Sequence, residues 1–228
     1  MATPIVAGSG TGSANNASSI TIAGFTMTGN LLMVLTGYRG NAADVSSVTY
    51  GGVNLTLLEK AESTPASFET AAEIWYLKSP ALGSANIVIT YGANQYGAAI
   101  ALDISGSRTG ATTFGTTAET AGVYDSAIST NVTSAAGELV IDIVAKKFTN
   151  ATDGVYVVGA GQTQIGASVS SGSGTDSNNA YIAASKETAT GTPTTMSWTW
   201  TSGNRYAAQI GVAVRGALAA GSSQVIIF

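Results

Sequence analysis

The sequence predicts an all-β fold: an antiparallel two-sheet β-sandwich of jelly-roll type, with an internal pseudo-two-fold duplication. Three observations lead there. Apolar runs of five to nine residues, alternating or continuous, recur along the chain between Gly, Asn, Asp or Pro. That is the pattern of strands, not of helices. Residues of the first half recur about 108 positions later, and no Pro-rich or charged linker divides the 228 residues.

In chain order, strands are expected at 18–25, 31–38, 47–50, 55–61, 72–78, 85–91 and 97–104. A second set is expected at 127–132, 138–146, 155–158, 162–167, 180–187, 194–201 and 206–215. Tyr50-Gly51-Gly52-Val53 reads as a hairpin turn, because Gly-Gly permits the positive φ that a primed turn demands. An offset of 108 takes Ile20 to Ile128, Gly29 to Gly137, Leu31 to Leu139, Ile74 to Ile182 and Lys78 to Lys186. After a two-residue insertion the offset becomes 110, and Asn94-Gln95-Tyr96-Gly97-Ala98-Ala99-Ile100 falls on Asn204-Arg205-Tyr206-Ala207-Ala208-Gln209-Ile210. The repeated halves are 18–106 and 126–216, inside a single sandwich spanning 1–218 and followed by an arm at 219–228. Segment 106–122 reads as a Thr/Gly-rich junction.

The repeat also assigns faces. Leu31, Met33 and Leu35 match Leu139, Ile141 and Ile143, and should point into the core. Ala98, Ile100, Leu102 and Ile104 match Ala208, Ile210, Val212 and Val214 in the same way. The intervening Asp103 matches Ala213, so that face should be less strictly buried.

Composition narrows the function classes. Charged residues are 10% of the chain, against ~25% in ordinary soluble domains. Net charge is −4 and no Lys/Arg run occurs, so nucleic acid is not an expected partner. No apolar stretch approaches the ~20 residues of a membrane helix. With neither His nor Cys, a Ser-His-Asp or Cys-His arrangement cannot be built, and zinc loses its usual ligands. The acids Glu59, Glu62, Glu69, Glu73, Asp103, Glu138, Asp142 and Glu187 are dispersed. No enzymatic activity, cofactor or metal is expected. The polar loop 172–179 holds one carboxylate, Asp176, too few to mark a calcium loop. The start, Met1-Ala2-Thr3-Pro4-Ile5-Val6-Ala7-Gly8, has no basic region before an apolar run, and synthesis in a host cytoplasm without an export leader is expected.

Four features remain as candidate sites. Trp75 stands beside Glu73 on one expected strand; the pair reads as an outward carboxylate next to a core aromatic, or as a sugar-binding acid beside a stacking ring, with Glu69 nearby. Trp198 and Trp200, two apart, share a face and read as core, or as a glycan platform. The tail, with Val225, Ile226, Ile227 and Phe228, is β-prone and apolar. It reads as a strand tucked into its own domain, or as one added to a neighbouring subunit. Ile5 and Val6 in the N-terminal arm read the same way.

Several segments resemble a recurrent module. They are Gly29-Asn30-Leu31-Leu32-Met33-Val34, Val45-Ser46-Ser47-Val48-Thr49-Tyr50-Gly51-Gly52-Val53-Asn54-Leu55-Thr56, Glu73-Ile74-Trp75-Tyr76-Leu77 and Trp198-Thr199-Trp200 with Ala207-Ala208-Gln209-Ile210. Jelly-roll sandwich modules of this kind occur in bacteriophage virion proteins and in large bacterial surface proteins. The resemblance implies a non-catalytic virion protein: a capsid decoration (cement) protein or tail component that self-associates as a homo-oligomer and docks on a phage capsid or tail protein. The alternative is an adhesion module that recognises a host-surface glycan through Trp75, Trp198 and Trp200. A glycosidase using Glu69 or Glu73 is the third reading.

Overall fold

The computed structural model describes residues 2–39, 44–63, 70–148, 155–172, 179–201 and 203–218. All regular structure among them is β-strand. The first half carries β1 (Ile5–Met27), β2 (Leu31–Arg39), β3 (Val45–Tyr50), β4 (Val53–Asn54), β5 (Thr56–Ser63), β6 (Thr70–Lys78) and β7 (Gly83–Ser105). The second carries β8 (Ala118–Asp125), β9 (Ala127–Val132), β10 (Leu139–Phe148), β11 (Val157–Val158), β12 (Thr163–Gln164), β13 (Val169–Ser170), β14 (Asn179–Thr188), β15 (Thr194–Thr199) and β16 (Arg205–Val214). Every pairing is antiparallel, and the sheets pack face to face as an all-β sandwich.

The expected strands at 85–91 and 97–104 are one strand, β7. It bends in the middle and pairs along its whole length with an equally long β1, from Ile5 opposite Ser105 to Met27 opposite Gly83. The bend folds the two-stranded ribbon onto itself. Residues 97–105 of β7 enter a sheet with β2, β6 and β5, while 83–91 pair with β3 in the layer above. The expected turn at Gly51-Gly52 closes the β3–β4 hairpin with φ of 56° and 84°. In the second half the ribbon is cut into separate strands. β8–β16–β10–β14–β12 make one sheet and β9–β15–β11 the layer outside it.

The two large sheets meet in a seam to which both halves contribute. Leu31, Met33, Leu35, Ile74, Ile100, Leu102 and Ile104 face Leu139, Ile141, Ile143, Ile182, Ile210, Val212 and Val214. The expected inward faces of β2 and β10 therefore do point to a core. The alternate faces are buried as well. Leu32, Val34, Tyr38, Trp75, Ala99 and Ala101 join Ile20, Phe25, Val48, Ile87 and Tyr91 in a second core under the outer layer of the first half. Two smaller cores lie under β9 and β15. A sheet covered on both sides has no solvent face, so its strands lose the in/out alternation of an ordinary sandwich. The face of Asp103 is accordingly buried too.

Pairing order runs alike in the two halves, and register refines the correspondence. Leu31 stands opposite Ile104 and Lys78; Leu139 stands opposite Val214 and Thr188. Thr188, not Lys186, therefore takes the place of Lys78, and Lys186 takes that of Tyr76. The two extra residues precede β14. A slide of two leaves every side chain on the same face, which is why the apolar pattern could not reveal it. β8 lies inside the supposed junction 106–122 and beyond it, with Gly10 opposite Ala101 and Ala118 opposite Gly211 at equivalent places.

The seam is tight at Gly37 on β2. A Cβ there would run into Ile182 Cγ2 and stand 2.8 Å from Ala145 Cβ, both on the facing sheet. Gly37→Ala is expected to cost about 1–3 kcal/mol by overpacking, read as a lower urea midpoint with an unchanged slope. A variant as stable as the parent would show that the two sheets can separate there at no cost.

Candidate interaction surface

The three tryptophans are core residues. Trp75 is buried under the first outer layer, and its indole N–H donates to Glu73 Oε2 at 2.7 Å. The Tyr38 hydroxyl donates to Glu73 Oε1 at 2.8 Å and lies 3.1 Å from Asp44 Oδ1. Glu73 is thus not the outward carboxylate expected from its sequence. It shares the inward face of Trp75, because residues two apart on a strand share a face, and the indole and phenol satisfy it there. Burial holds its carboxyl above the usual range. At the rim Lys60 pairs with Asp44 at 2.7 Å and Glu62 at 2.5 Å, and that Lys60 hydrogen bond holds Asp44 low.

Trp198 and Trp200 fill the core of the second half. The indole of Trp198 donates to Asp142 Oδ2 at 2.6 Å, and that of Trp200 to the Gly203 carbonyl at 3.0 Å. Tyr156 packs edge-on against both, 5.5 and 6.0 Å away, and stacks on Tyr181. Lys146 lies buried among these rings, its Nζ 4.7 Å from Tyr156 and 5.0 Å from Trp200. All three indole N–H groups are used inside, and no ring of the three presents a face to solvent. The glycan candidates therefore come together in cores, two in one and one in the other, not on a platform.

Asp142, on β10, was not singled out from the sequence. It accepts from the backbone N–H and hydroxyl of Ser185 at 3.1 and 2.5 Å, from Trp198, and from Gln209 Nε2 at 2.7 Å. Asp103 is a second buried acceptor. It takes the Thr28 and Gly29 N–H groups at 3.0 and 2.8 Å and the Thr28 hydroxyl at 2.6 Å, pinning the turn between β1 and β2. Asp142 meets donors from neighbouring strands and Asp103 from the adjoining turn, the arrangement that lets a sheet interior tolerate a charge. Among the described residues, no group of three His, Cys, Asp or Glu could hold a metal ion. Glu69, Asp176 and the tail residues Val225, Ile226, Ile227 and Phe228 lie outside the described residues.

The surface with most to offer a partner is the first limb of β1, residues 5–14. Ile5 and Val6, read as strand addition to another subunit, pair with Ser105 and Ile104 of their own chain. Val6 is half-buried against the seam. Ile5 is 57% exposed. A bulge between Val6 and Gly8 then reverses the faces. Beyond it Gly10 and Gly12 lie under the second limb. A Cβ on Gly10 would stand 2.9 Å from the Phe25 ring, and one on Gly12 2.8 Å from Ile20. The alternating glycines let the ribbon close on itself. The outward set, Ser9, Thr11 and Ser13, is exposed. Among the described residues this limb pairs with β7 alone, so one edge is open. It carries no charge and no proline, the devices that normally blunt such an edge. β8, at the equivalent place in the second half, carries Glu119 and Asp125.

Burial pushes the Asp142 carboxyl up to about 6, against the pull of its donors. A carboxyl that binds its proton more tightly folded than unfolded contributes stability at pH below its unfolded value of 3.8, and that contribution is lost as pH rises through about 6. The loss amounts to roughly 3 kcal/mol. Urea midpoints from pH 3.5 to 7.5 should show this fall in the parent and a flatter profile in Asp142→Asn. Parallel profiles would mean that Asp142 titrates alike in both states. No known protein family, curated protein or solved structure was found to match this chain.

Proposed function

We propose that this chain is a non-catalytic structural protein that assembles through its sheet edge, of the kind that phage virions carry as capsid decoration or tail components. The observation that carries the reading is the open, uncharged edge at residues 5–14. An unpaired strand offers a row of N–H and C=O groups to a second chain, and Ser9, Thr11 and Ser13 add hydroxyls without steric bulk. The interior supports the same reading. Trp75, Trp198 and Trp200 are spent on packing, and Glu73, Asp103 and Asp142 are held by internal donors. The matching pairing order of the halves supports an origin by internal duplication, in which β1 kept an open edge while β8 acquired carboxylates.

Light scattering after size exclusion tests the proposal. The parent chain should run as an oligomer and sediment with phage shells or tails. Thr11→Lys should shift it towards monomer and weaken co-sedimentation about tenfold or more, because a charge on the edge opposes strand addition. A chain ending at Ala219 should still associate, because the edge is intact. A monomeric parent that leaves shells and tails unbound would sink the proposal.

A further inference from the structure

We propose that a groove between the start of β1 and the edge of β14 receives residues 224–228 of the same chain. The groove encloses about 480 Å³. Pro4, Ile5, Val6 and Leu139 line it together with Lys186, Glu187 and Thr188 of β14.

The equivalent place in the other half is filled. Phe114 bridges to Val214 as Val6 pairs with Ile104, so Phe114 stands where Val6 stands. Its ring meets Tyr76 edge-on at 4.9 Å. Lys78 lies over both rings, 5.4 and 5.8 Å from their centres, and donates to the Gly110 carbonyl at 2.9 Å. In the groove, Val6 replaces Phe114 and Lys186 replaces Tyr76. Two aromatic rings are thus missing from a site where Pro4, Ile5, Val6 and Leu139 form the apolar part of the lining, beside Lys186 and Glu187. The Lys186 side chain has no hydrogen-bond or ion-pair partner among the described residues, and its ammonium can cover an incoming ring as Lys78 covers Phe114.

The occupant follows from where the described chain stops. The Ala217 carbonyl accepts from the Ala2 N–H at 3.2 Å, and the Ala217 N–H donates to Gly106. A Cβ on Gly106 would stand 3.7 Å from Pro4 Cα. The chain therefore leaves Leu218 beside the strand that walls the groove. Residues 219–223 can span up to about 17 Å before the apolar run Val225, Ile226, Ile227 and Phe228 begins. Nothing in 219–228 is charged, and Phe228 supplies a ring. A tether this short gives an effective concentration in the millimolar range, which favours the chain's own segment over a neighbour's. The groove and the proposed assembly edge share Ile5 and Val6, but the edge-assembly reading is carried by Ser9, Thr11 and Ser13, which lie outside the groove.

Cysteine trapping tests it cleanly, because the full chain has no Cys. The full chain carrying Thr190→Cys, at the exposed rim of the groove, and Ile227→Cys should form an intramolecular disulfide on mild oxidation. A control pairing Ile227→Cys with Val53→Cys, on the outer layer of the other half, should not. Adding Val6→Phe, which puts a ring where Phe114 has one, should lower the yield of the trapped species about tenfold or more. Failure of the Thr190 pair to cross-link would overturn the proposal. So would a disulfide only between copies, which would make a second copy the occupant, or a yield unchanged by Val6→Phe in a chain that keeps its β-sheet spectrum.

Discussion

The apolar seam between the two large sheets is the contact on which the rest of the structure depends. The inner strands of neither sheet have a solvent face. Each is covered by the other on one side and by a smaller layer on the other side. Removing the seam would expose the row Leu31, Met33, Leu35 together with Ile100, Leu102 and Ile104, all fully or almost fully buried. An apolar area of that size does not stay open to water on a single soluble domain. The low charge of the chain follows from the same geometry. Sheets buried on both faces leave few positions where Lys or Glu can reach solvent.

Double coverage also explains where the polar groups sit. A charged side chain on an inner strand must find its donors in the sheet beside it or in the layer above. Asp142 finds them on β14, β15 and β16, and Glu73 finds them on β2 and its own strand. The indole N–H groups of Trp75 and Trp198 meet these carboxylates, and that of Trp200 meets the Gly203 carbonyl, so none is left for a ligand. Polar satisfaction and aromatic packing are thus one arrangement, and it closes both cores.

Much of this was legible in the sequence. Aliphatic strands announced themselves through their spacing, and β9 was located to the residue. The apolar positions matched at offsets of 108 and 110 picked out the seam faces of β2, β7, β10 and β16. Edge strands were hidden. β8 and the first limb of β1 pack too little to need aliphatic side chains, so Ala, Gly, Ser and Thr there read as junction or arm. β7 was split in two because its bend at 92–97 carries the Gly and Asn of a loop, although the ladder resumes beyond it. Glu73 and Asp142 could not be recognised as buried, since their donors are brought by strands distant in the chain.

The shared seam has a consequence for synthesis. Ile5 pairs with Ser105, so the first half can close its own ribbon once Ser105 has left the ribosome. Its seam face then has no cover until β10, β14 and β16 emerge. At ~5–20 residues per second, that apolar wall faces the cell for on the order of ten seconds. During that interval the nascent first half is the natural client of a chaperone, and on a polysome its nearest substitute for β10 is the bare wall of a neighbouring nascent chain.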